Sequence, residues 1–378
     1  MTIAEFKDLF AHSPKHLFFN NAGIAQIPRP TRDALAECGE RFYQEGAFTI
    51  PELVSWLEKT REDLARFLGA TPSQTGLFSS TAAAISQVAL GFPFSAGDEI
   101  LTWDQEYPSN FYPYKVAAER TGARLVVAKS GPHLETSAEN LLSYVTNKTK
   151  MIAFSWVQYR TGALTDLAKI TSFARTKNIF TCADVIQGAG AVPFDFQKSG
   201  LDAACGGSHK FMCSPVGIGY LLLREEYISK LQPTSVGAFT FGTPEDLSDL
   251  KKPMRADMYR FEPGAKNFAD IVAFGATLKL FQKVGIENIH AEIINLTDQL
   301  MNGLESKGYV IFSNRAQSPR TPQVTFGPSE KSKLKTIDEI KTRLTEGGAT
   351  FGVRPPGIRL SPHAFTREDE IARLLELL

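Results

Sequence analysis

Short apolar runs alternate with longer amphipathic stretches over the first two thirds of the chain. The apolar runs are rich in β-branched residues and predict strands at 99–103, 124–128, 151–155, 179–183, 203–205 and 217–223. Segments with helical periodicity predict helices at 30–44, 51–67, 81–90, 110–119, 138–146 and 166–177. Alternation of this kind is typical of a mainly parallel sheet covered by helices, so we expect an α/β fold.

The pattern changes after about residue 262. Two successive helices are predicted there, followed by an α+β arrangement with strands near 309–312, 322–326, 349–353 and 358–361, a helix at 336–346 and a last helix from Thr366. Thr2 and Glu5 have the spacing of a capping box, and the helix that they begin is expected to pack on this C-terminal module. Residues 240–260 form the longest predicted loop, and loops of that length tend to be functional.

The charge balance limits the classes of partner. The 378 residues include 41 basic and 41 acidic side chains, so the formal net charge is zero. Binding to nucleic acid or to a membrane surface therefore lacks its simplest driving force. No apolar run of about 18 residues predicts a membrane span, and charges near the N-terminus do not favour a secretory signal. We expect a cytoplasmic protein with room for about two folded units.

The four cysteines do not predict metal or disulfide chemistry. They lie at 38, 182, 205 and 213 and include no CxxC pair. Neither a zinc cluster nor a disulfide framework is indicated, so any cofactor is expected to be organic.

A lysine lies between two predicted strands, in the tripeptide Ser208-His209-Lys210. A buried ammonium that lacks a partner is costly, so the lysine is expected to be paired, neutral or covalently used. A desolvated lysine has a lowered pKa and makes a good Schiff-base nucleophile, which favours the third option. The alternative is an exposed lysine in an ordinary loop.

Three further segments place chemistry at the same predicted edge of the sheet. Asp184 ends an apolar strand, where open α/β sheets bind ligands, although an aspartate there also suits a helix N-cap. Thr81 and Ala82 begin a helix whose free amides and hydroxyl would hold a phosphate, or Thr81 is simply a capping residue. Tyr107 follows another strand and would stack on a flat ring, or is a surface tyrosine.

Five ordered motifs along the chain resemble those of the fold-type I pyridoxal-phosphate enzymes, in particular the class V aminotransferase and cysteine desulfurase group. The motifs are Asn20-Asn21-Ala22-Gly23, Asp184 to Gln187, His209-Lys210, Arg260 to Gly264, and Ile358 to His363. The resemblance implies a large domain with a mainly parallel seven-stranded sheet and a smaller α+β C-terminal domain. The large domain would comprise 14–261, and 1–13 with 262–378 would form the small one.

The resemblance implies that pyridoxal 5'-phosphate is the cofactor and that Lys210 holds it as a Schiff base. Asp184 would pair with the pyridine nitrogen and keep it protonated, which the electron-accepting ring requires of its protein. Gln187 would donate to the ring 3-oxygen, and Tyr107 would stack on the ring. The remaining implied cofactor contacts are Thr81, Ala82, Ser208 and His209.

For the substrate, the resemblance implies that Arg359 grips an α-carboxylate through its two-pronged guanidinium, a task for which lysine is a poor substitute. Asn21 and Tyr159 are further implied substrate contacts. Arg160 and Arg354 are candidates for a second acidic group of the substrate, although solvated salt bridges are the more common role of such arginines.

The chain also departs from the group. Desulfurases carry a cysteine on a loop before the carboxylate-binding arginine, whereas 351–357 contains none. Ala265 stands where relatives place a hydroxyl that reaches the phosphate of the other subunit, and Lys266 beside it is an alternative contact.

The expected enzyme is a homodimer with the active site at the subunit interface, acting on an amino acid. Transamination is the favoured reaction. A carbon–sulfur lyase, a desulfurase-like or an epimerase activity is the close alternative. A catalytically inactive interaction protein is a distant one, because such a protein would be expected to have lost at least the lysine.

Overall fold

The computed structural model describes residues 1–46, 50–131, 134–242 and 249–378. Its helices are α1 (Ile3–Lys7), α2 (Arg29–Glu45), α3 (Ile50–Phe67), α4 (Thr81–Gly91), α5 (Tyr112–Thr121), α6 (Ala138–Leu142), α7 (Leu167–Thr176), α8 (Phe196–Ser199), α9 (Glu225–Ile228), α10 (Ala238–Phe241), α11 (Phe268–Val284), α12 (Ile286–Ser306), α13 (Ile337–Glu346) and α14 (Glu368–Leu377). Its strands are β1 (Leu17–Phe18), β2 (Thr75–Phe78), β3 (Glu99–Trp103), β4 (Arg124–Ala128), β5 (Thr149–Ser155), β6 (Phe180–Asp184), β7 (Ala203–Gly207), β8 (Gly219–Leu223), β9 (Val310–Ile311), β10 (Val324–Gly327), β11 (Ala349–Thr350), β12 (Gly352–Arg354) and β13 (Gly357–Leu360).

Within the described ranges, a sheet of seven strands has the order β2-β8-β7-β6-β5-β3-β4. β8 runs antiparallel to both of its neighbours, and the other pairs are parallel. The central strand β6 is buried along its whole length because helices cover both faces of the sheet, which explains its continuous apolar run. The α/β fold with a mainly parallel seven-stranded sheet is confirmed.

A second, smaller sheet lies in the C-terminal part of the chain. Its order is β12-β13-β10-β9, and all of its pairs are antiparallel. α12, α13 and α14 supply much of the apolar cluster on this sheet. The boundaries 14–261 and 262–378 stay a prediction.

The N-terminal helix α1 packs against helices of the C-terminal part of the chain, as the sequence predicts. Thr2 Oγ1 accepts a hydrogen bond from the Glu5 amide, and the Glu5 carboxylate accepts one from the Thr2 amide, so the capping box is formed. Phe6 packs edge-on against Phe281 of α11, with ring centroids 5.7 Å apart. Lys7 Nζ lies 2.6 Å from the Glu292 carboxylate of α12.

Two strands were missing from the sequence-based prediction. One is β2, which has four residues. The other is β1, which has two residues and pairs with β11; the first residues of these two strands are 332 positions apart in the sequence. Strands this short carry almost no periodic signal, so their partners rather than their own sequence define them. Of the long predicted loop, 243–248 lie outside the described residues, and the part before them contains the end of the short helix α10.

Candidate functional site

The carboxyl ends of β3, β5, β6 and β7 meet at one edge of the large sheet, where an open α/β sheet is expected to bind its ligand. A cavity of about 400 Å³ lies at this edge. It is lined by Ala22, Gly23, Ile24, Ser80, Thr81, Ala82, Tyr107, Ser109, Tyr159, Asp184, Ile186, Gln187, His209, Lys210, Arg354 and Arg359. Residues separated by more than 300 positions in the sequence therefore share one site.

Lys210 lies in the turn that connects β7 to β8. The turn is fixed by backbone bonds, among them one from the Cys213 amide to the Lys210 carbonyl over 2.9 Å. Burial lowers the pKa of the Lys210 ammonium to about 8, an effect that the Asp184 carboxylate opposes and the charges of Arg359 and Arg354 assist. A larger fraction of the amine is therefore neutral near pH 7 than in a solvated lysine, which makes Lys210 a better nucleophile.

Asp184 is the last residue of β6 and is buried in the wall of the cavity. Burial raises the pKa of its carboxyl to about 6, although the Ile186 amide, which donates to Oδ1 over 2.9 Å, and the Lys210 charge both lower it. The carboxylate has little stabilisation of its own, so a cationic partner in the cavity would gain a strong interaction.

The N-terminus of α4 forms another wall. Ser80 caps the helix by accepting a hydrogen bond from the Ala83 amide over 3.1 Å. Thr81 Oγ1 is buried and has no hydrogen-bond partner. A Cβ at Gly207 would lie 2.7 Å from that oxygen, so only a glycine in β7 allows Thr81 this position. A helix N-terminus with an unpaired hydroxyl is a site for an anion such as phosphate.

Gln187 is held by a residue that the sequence analysis missed. Gln323, which precedes β10 in the smaller sheet, donates from Nε2 to Gln187 Oε1 over 3.0 Å. Gln187 Nε2 in turn donates to the Ala22 carbonyl over 3.2 Å. Because the amide oxygen is occupied, Gln187 presents its amino group as a donor in the cavity wall. No local signal in the sequence marks Gln323, whose partner lies 136 positions away.

Two tyrosines pack against each other in the cavity wall. The rings of Tyr107 and Tyr159 are 5.3 Å apart and nearly perpendicular. Lys210 Nζ lies 5.5 Å from the centroid of the Tyr107 ring. Tyr107 is 42% exposed, so one ring face is available to a flat ligand beside the lysine.

The segment that carries Tyr107 is anchored by a second missed residue, Glu106. Its carboxylate accepts hydrogen bonds from the Ser155 amide and hydroxyl, from Asn110 and from Gln158. Burial nevertheless raises the pKa of Glu106 to about 7. These bonds join the segment after β3 to the end of β5, and so fix the residue before Tyr107.

Arg359 is a buried arginine without a carboxylate partner in the described ranges. Its Nη1 donates to the Tyr159 carbonyl over 2.6 Å, Nη2 lies 3.5 Å from Asn20 Oδ1, and Nε has no partner. Burial and the Arg354 charge lower the pKa of the guanidinium to about 10, so it stays charged at neutral pH. A guanidinium held in this way is prepared to bind a carboxylate.

The two other candidate arginines differ in position. Arg354 lines the cavity, and its Nη1 donates to the Val353 carbonyl over 2.7 Å. Arg160 does not line it, because its Nε donates to the Tyr159 hydroxyl over 2.9 Å and its guanidinium lies over the Tyr159 ring.

Two of the residues predicted as contacts do not line the cavity. Ser208 is absent from the cavity wall, because its hydroxyl donates to the Pro215 carbonyl over 2.6 Å inside its own turn. Asn21 is also absent from the wall: its side-chain amide donates to the Ser361 carbonyl over 2.8 Å and joins the chain ends. His209 does line the cavity, and burial with the Lys210 charge lowers its pKa to about 4, so it is neutral at pH 7.

The residues present fit pyridoxal phosphate. The unpaired Thr81 hydroxyl at the N-terminus of α4 suits a phosphate, and the under-stabilised Asp184 carboxylate suits a protonated ring nitrogen.

Lys266, the alternative contact to the phosphate of the other subunit, has partners within its own chain. Its Nζ lies 3.1 Å from the buried Glu262 carboxylate and donates to the Leu77 carbonyl over 2.8 Å.

No thiol reaches the cavity. All four cysteines of the chain lie in the described ranges, and each of them is buried elsewhere in the protein. The segment 351–357, where desulfurases carry their cysteine, instead forms the β12–β13 hairpin with two prolines at its turn.

A sequence profile of the family described as Aminotransferase class-V matches residues 17–367. The chain therefore belongs to the class V aminotransferase family of pyridoxal-phosphate-dependent enzymes, as the motifs predicted, and the predicted cofactor is confirmed for the family.

Several individual proteins are similar to the chain. A probable cysteine desulfurase of Streptomyces coelicolor (strain ATCC BAA-471 / A3(2) / M145) is 29% identical over 302 residues, which cover 77% of this chain and 71% of the relative. Isopenicillin N epimerase of Streptomyces clavuligerus is 27% identical over 351 residues, which cover 88% of this chain and 86% of the relative. The structure of a cystine C–S lyase in complex with its product cysteine persulfide has a TM-score of 0.86 at 23% identity, covering 96% and 97% of the two chains.

The sequence analysis expects an aminotransferase activity. That activity is unconfirmed, because these relatives are not named as aminotransferases. Of the two sequence relatives, one is named as a probable cysteine desulfurase and the other as an epimerase. Among the described helices, none has the length and apolar character to cross a membrane. The homodimer and the cytoplasmic location stay predictions.

Proposed function

We propose that this protein is a pyridoxal-phosphate-dependent enzyme that breaks a carbon–sulfur bond in an amino-acid substrate. The observation that carries the proposal is the content of one cavity. It combines a lysine of lowered pKa, a buried carboxylate, an unpaired hydroxyl at a helix N-terminus and a buried arginine without a carboxylate partner. These are the groups that an amino acid and this cofactor together require.

In this proposal, Thr81 and the first amides of α4 hold the cofactor phosphate. Asp184 would hold a proton on the ring nitrogen, and Gln187 would donate to the ring 3-oxygen. Tyr107 covers one face of the ring. Lys210 Nζ would hold the cofactor through its aldehyde, for which its lowered pKa suits it.

When bound, the cofactor would supply an aldehyde for the substrate amine and a ring that can accept electrons from the substrate Cα. Arg359 binds the α-carboxylate with its free N–H groups and so orients the substrate. Lys210 Nζ would take the proton from the substrate Cα. The lysine can act as a base near neutral pH because burial has lowered its pKa to about 8.

The relatives and the cysteines together support cleavage at sulfur. Relatives of the chain are named as desulfurases and as a cystine C–S lyase. A desulfurase passes sulfur to its own thiol, but the cysteines of this chain are buried outside the cavity. In our proposal, therefore, the sulfur leaves Cβ as part of a small-molecule product.

The proposal is tested with the cofactor-loaded protein and single amino acids. Purified protein is incubated with L-cystine, L-cysteine or L-alanine while its visible spectrum and its products are followed. Release of pyruvate and ammonia, with hydrogen sulfide from L-cysteine or cysteine persulfide from L-cystine and a return to the starting spectrum, is expected. Lasting conversion to the pyridoxamine form, reversed by a keto acid, would instead establish transamination. Racemised substrate without release of sulfur would establish an epimerase.

We also propose that the enzyme is a homodimer whose partner subunit completes the cavity. Ile24 lines the cavity and is 58% exposed, and Tyr112 on α5 is exposed to the same degree. Large exposed apolar side chains are typical of a surface that another chain covers. Light scattering after gel filtration should give twice the chain mass of 41.6 kDa. A mass of one chain at micromolar concentration would contradict this part of the proposal.

A further inference from the structure

The cavity contains more positively charged side chains than the groups of the proposed reaction would neutralise. Lys210, Arg354 and Arg359 line it, and Asp184 is the one carboxylate among the described residues of its wall. In the proposed function, Asp184 serves the ring nitrogen, the N-terminus of α4 serves the phosphate and Arg359 serves the α-carboxylate. Arg354 then has no anionic partner.

The position of Arg354 is set by a hairpin of the smaller sheet. Arg354 ends β12 opposite Gly357 at the start of β13, and Gly352 stands opposite Arg359 on the same pair of strands. Both arginines are thus held by one ladder of hydrogen bonds. Pro355 and Pro356 form the turn between the strands and restrict the backbone next to Arg354.

The guanidinium of Arg354 has donors to spare. It uses Nη1 on the neighbouring Val353 carbonyl over 2.7 Å. Within the described ranges, no carboxylate lies close enough to form an ion pair with it. A half-buried guanidinium with free donors in a ligand cavity is suited to a carboxylate, sulfonate or phosphate of the ligand.

We propose that Arg354 binds a second anionic group at the distal end of the substrate. The substrates of this enzyme are therefore amino acids whose side chain ends in a carboxylate or an equivalent anion. This inference rests on the proposed function, in which Arg359 already holds the α-carboxylate. An uncharged side chain would leave the Arg354 guanidinium partly desolvated and without a counter-charge, and a site of this kind discriminates against such a ligand.

The inference is tested by equilibrium binding, without turnover. Succinate, glutarate and adipate are titrated into the cofactor-loaded protein by calorimetry, with butyrate, valerate and caproate as monocarboxylates of matched chain length. At least one dicarboxylate is expected to bind about tenfold more tightly than its match, as one charge-assisted contact would give. Equal affinities within all three pairs would overturn the inference.

Variants assign the difference to Arg354. Arg354→Gln should remove most of the preference for the dicarboxylate and leave the affinity for the monocarboxylate unchanged, and Arg354→Lys should restore part of the preference. Arg120→Gln removes a charge from the exposed end of α5 and serves as the matched control. If Arg354→Gln weakens both ligands equally, or weakens cofactor binding and leaves the preference intact, Arg354 does not bind a distal group.

The substrate pair S-(2-carboxyethyl)-L-cysteine and S-propyl-L-cysteine extends the test to the reaction. The charged compound should have a KM about tenfold lower in the wild type and an equal KM in Arg354→Gln. Failure of the two proposals can be distinguished. Loss of the reducible adduct on Lys210 would refute the proposed function, whereas an intact adduct without dicarboxylate preference would refute only the role of Arg354.

Discussion

Gln323 donates a hydrogen bond from Nε2 to the side-chain oxygen of Gln187 over 3.0 Å. Gln187 follows a central strand of the large sheet, and Gln323 precedes a strand of the smaller one. Both side chains are buried. The bond determines which end of the Gln187 amide faces the cavity, so the smaller sheet contributes to the site through a residue that does not line it.

Replacement of Gln323 by leucine is expected to disturb this orientation. Gln187 Oε1 would lose its donor in a buried place, at a cost of about 1–3 kcal/mol, and the amide would be free to turn. We expect a melting temperature lower by a few degrees and a shift in the pH titration of the cofactor absorbance. Gln44→Leu, on the exposed side of α2, is the control. An unchanged absorbance titration would mean that Gln323 only stabilises the fold.

Replacement of Thr81 by valine should have opposite effects on the two forms of the protein. The buried hydroxyl has no partner without the cofactor, so its removal should leave the apo protein equally stable or slightly more stable. Loss of one charge-assisted hydrogen bond should weaken cofactor binding about tenfold. Melting curves of the apo protein and a cofactor titration measure both. Unaltered cofactor affinity would remove Thr81 from the phosphate site.

Replacement of Asp184 by asparagine keeps the shape of the side chain but not its charge. Without the carboxylate, the proton on the ring nitrogen loses its partner, and we expect turnover to fall by roughly a hundredfold or more. Tyr43→Phe, at an exposed position, is a control for the assay. The bound fraction of cofactor is measured by absorbance in parallel, so that a loss of binding is not mistaken for a loss of turnover. Turnover within a factor of two of the wild type would contradict the role of Asp184.

The lowered pKa of Lys210 predicts how cofactor capture depends on pH. The neutral amine is the nucleophile, and its folded-state pKa is about 8 instead of the ordinary value of 10.5. The rate at which apo protein captures pyridoxal phosphate should rise up to about pH 8 and then level off.

The same pKa shift makes the stability of the apo protein depend on pH. Between pH 8 and 10.5 the unfolded chain binds more protons at this lysine than the folded chain, so the free energy of unfolding increases as pH rises through that window. Stopped-flow absorbance from pH 6.5 to 10 tests the rate, and a rise that continues to pH 10 would refute the shift.

The sequence could predict that the main residues of the candidate cavity lie together, because each lies at the end of an element with a clear pattern. Asp184 ends an apolar strand, Lys210 follows another, and Thr81 begins a helix. Chain order alone brings such positions to one edge of a parallel sheet. The fold class followed from the same alternation of strands and helices.

Other parts of the site depend on tertiary contacts that leave no local trace. Ser208 is next to His209 in sequence but turns its hydroxyl into its own loop, and Asn21 faces Ser361 rather than the cavity. Gln323 has a partner 136 positions away, which no spacing rule could indicate. The strand β2 is only four residues long and is defined by its pairing with β8.

Reduction with borohydride followed by peptide mass analysis tests the central claim most directly. The cofactor-loaded protein is reduced, digested and searched for the added mass of the reduced cofactor. We expect that mass on the peptide that contains Lys210 and expect it to vanish in Lys210→Ala, while Lys115→Ala, an exposed lysine on α5, retains it. An adduct on a different lysine, or the same adduct in Lys210→Ala, would contradict the assignment of this chain's active site.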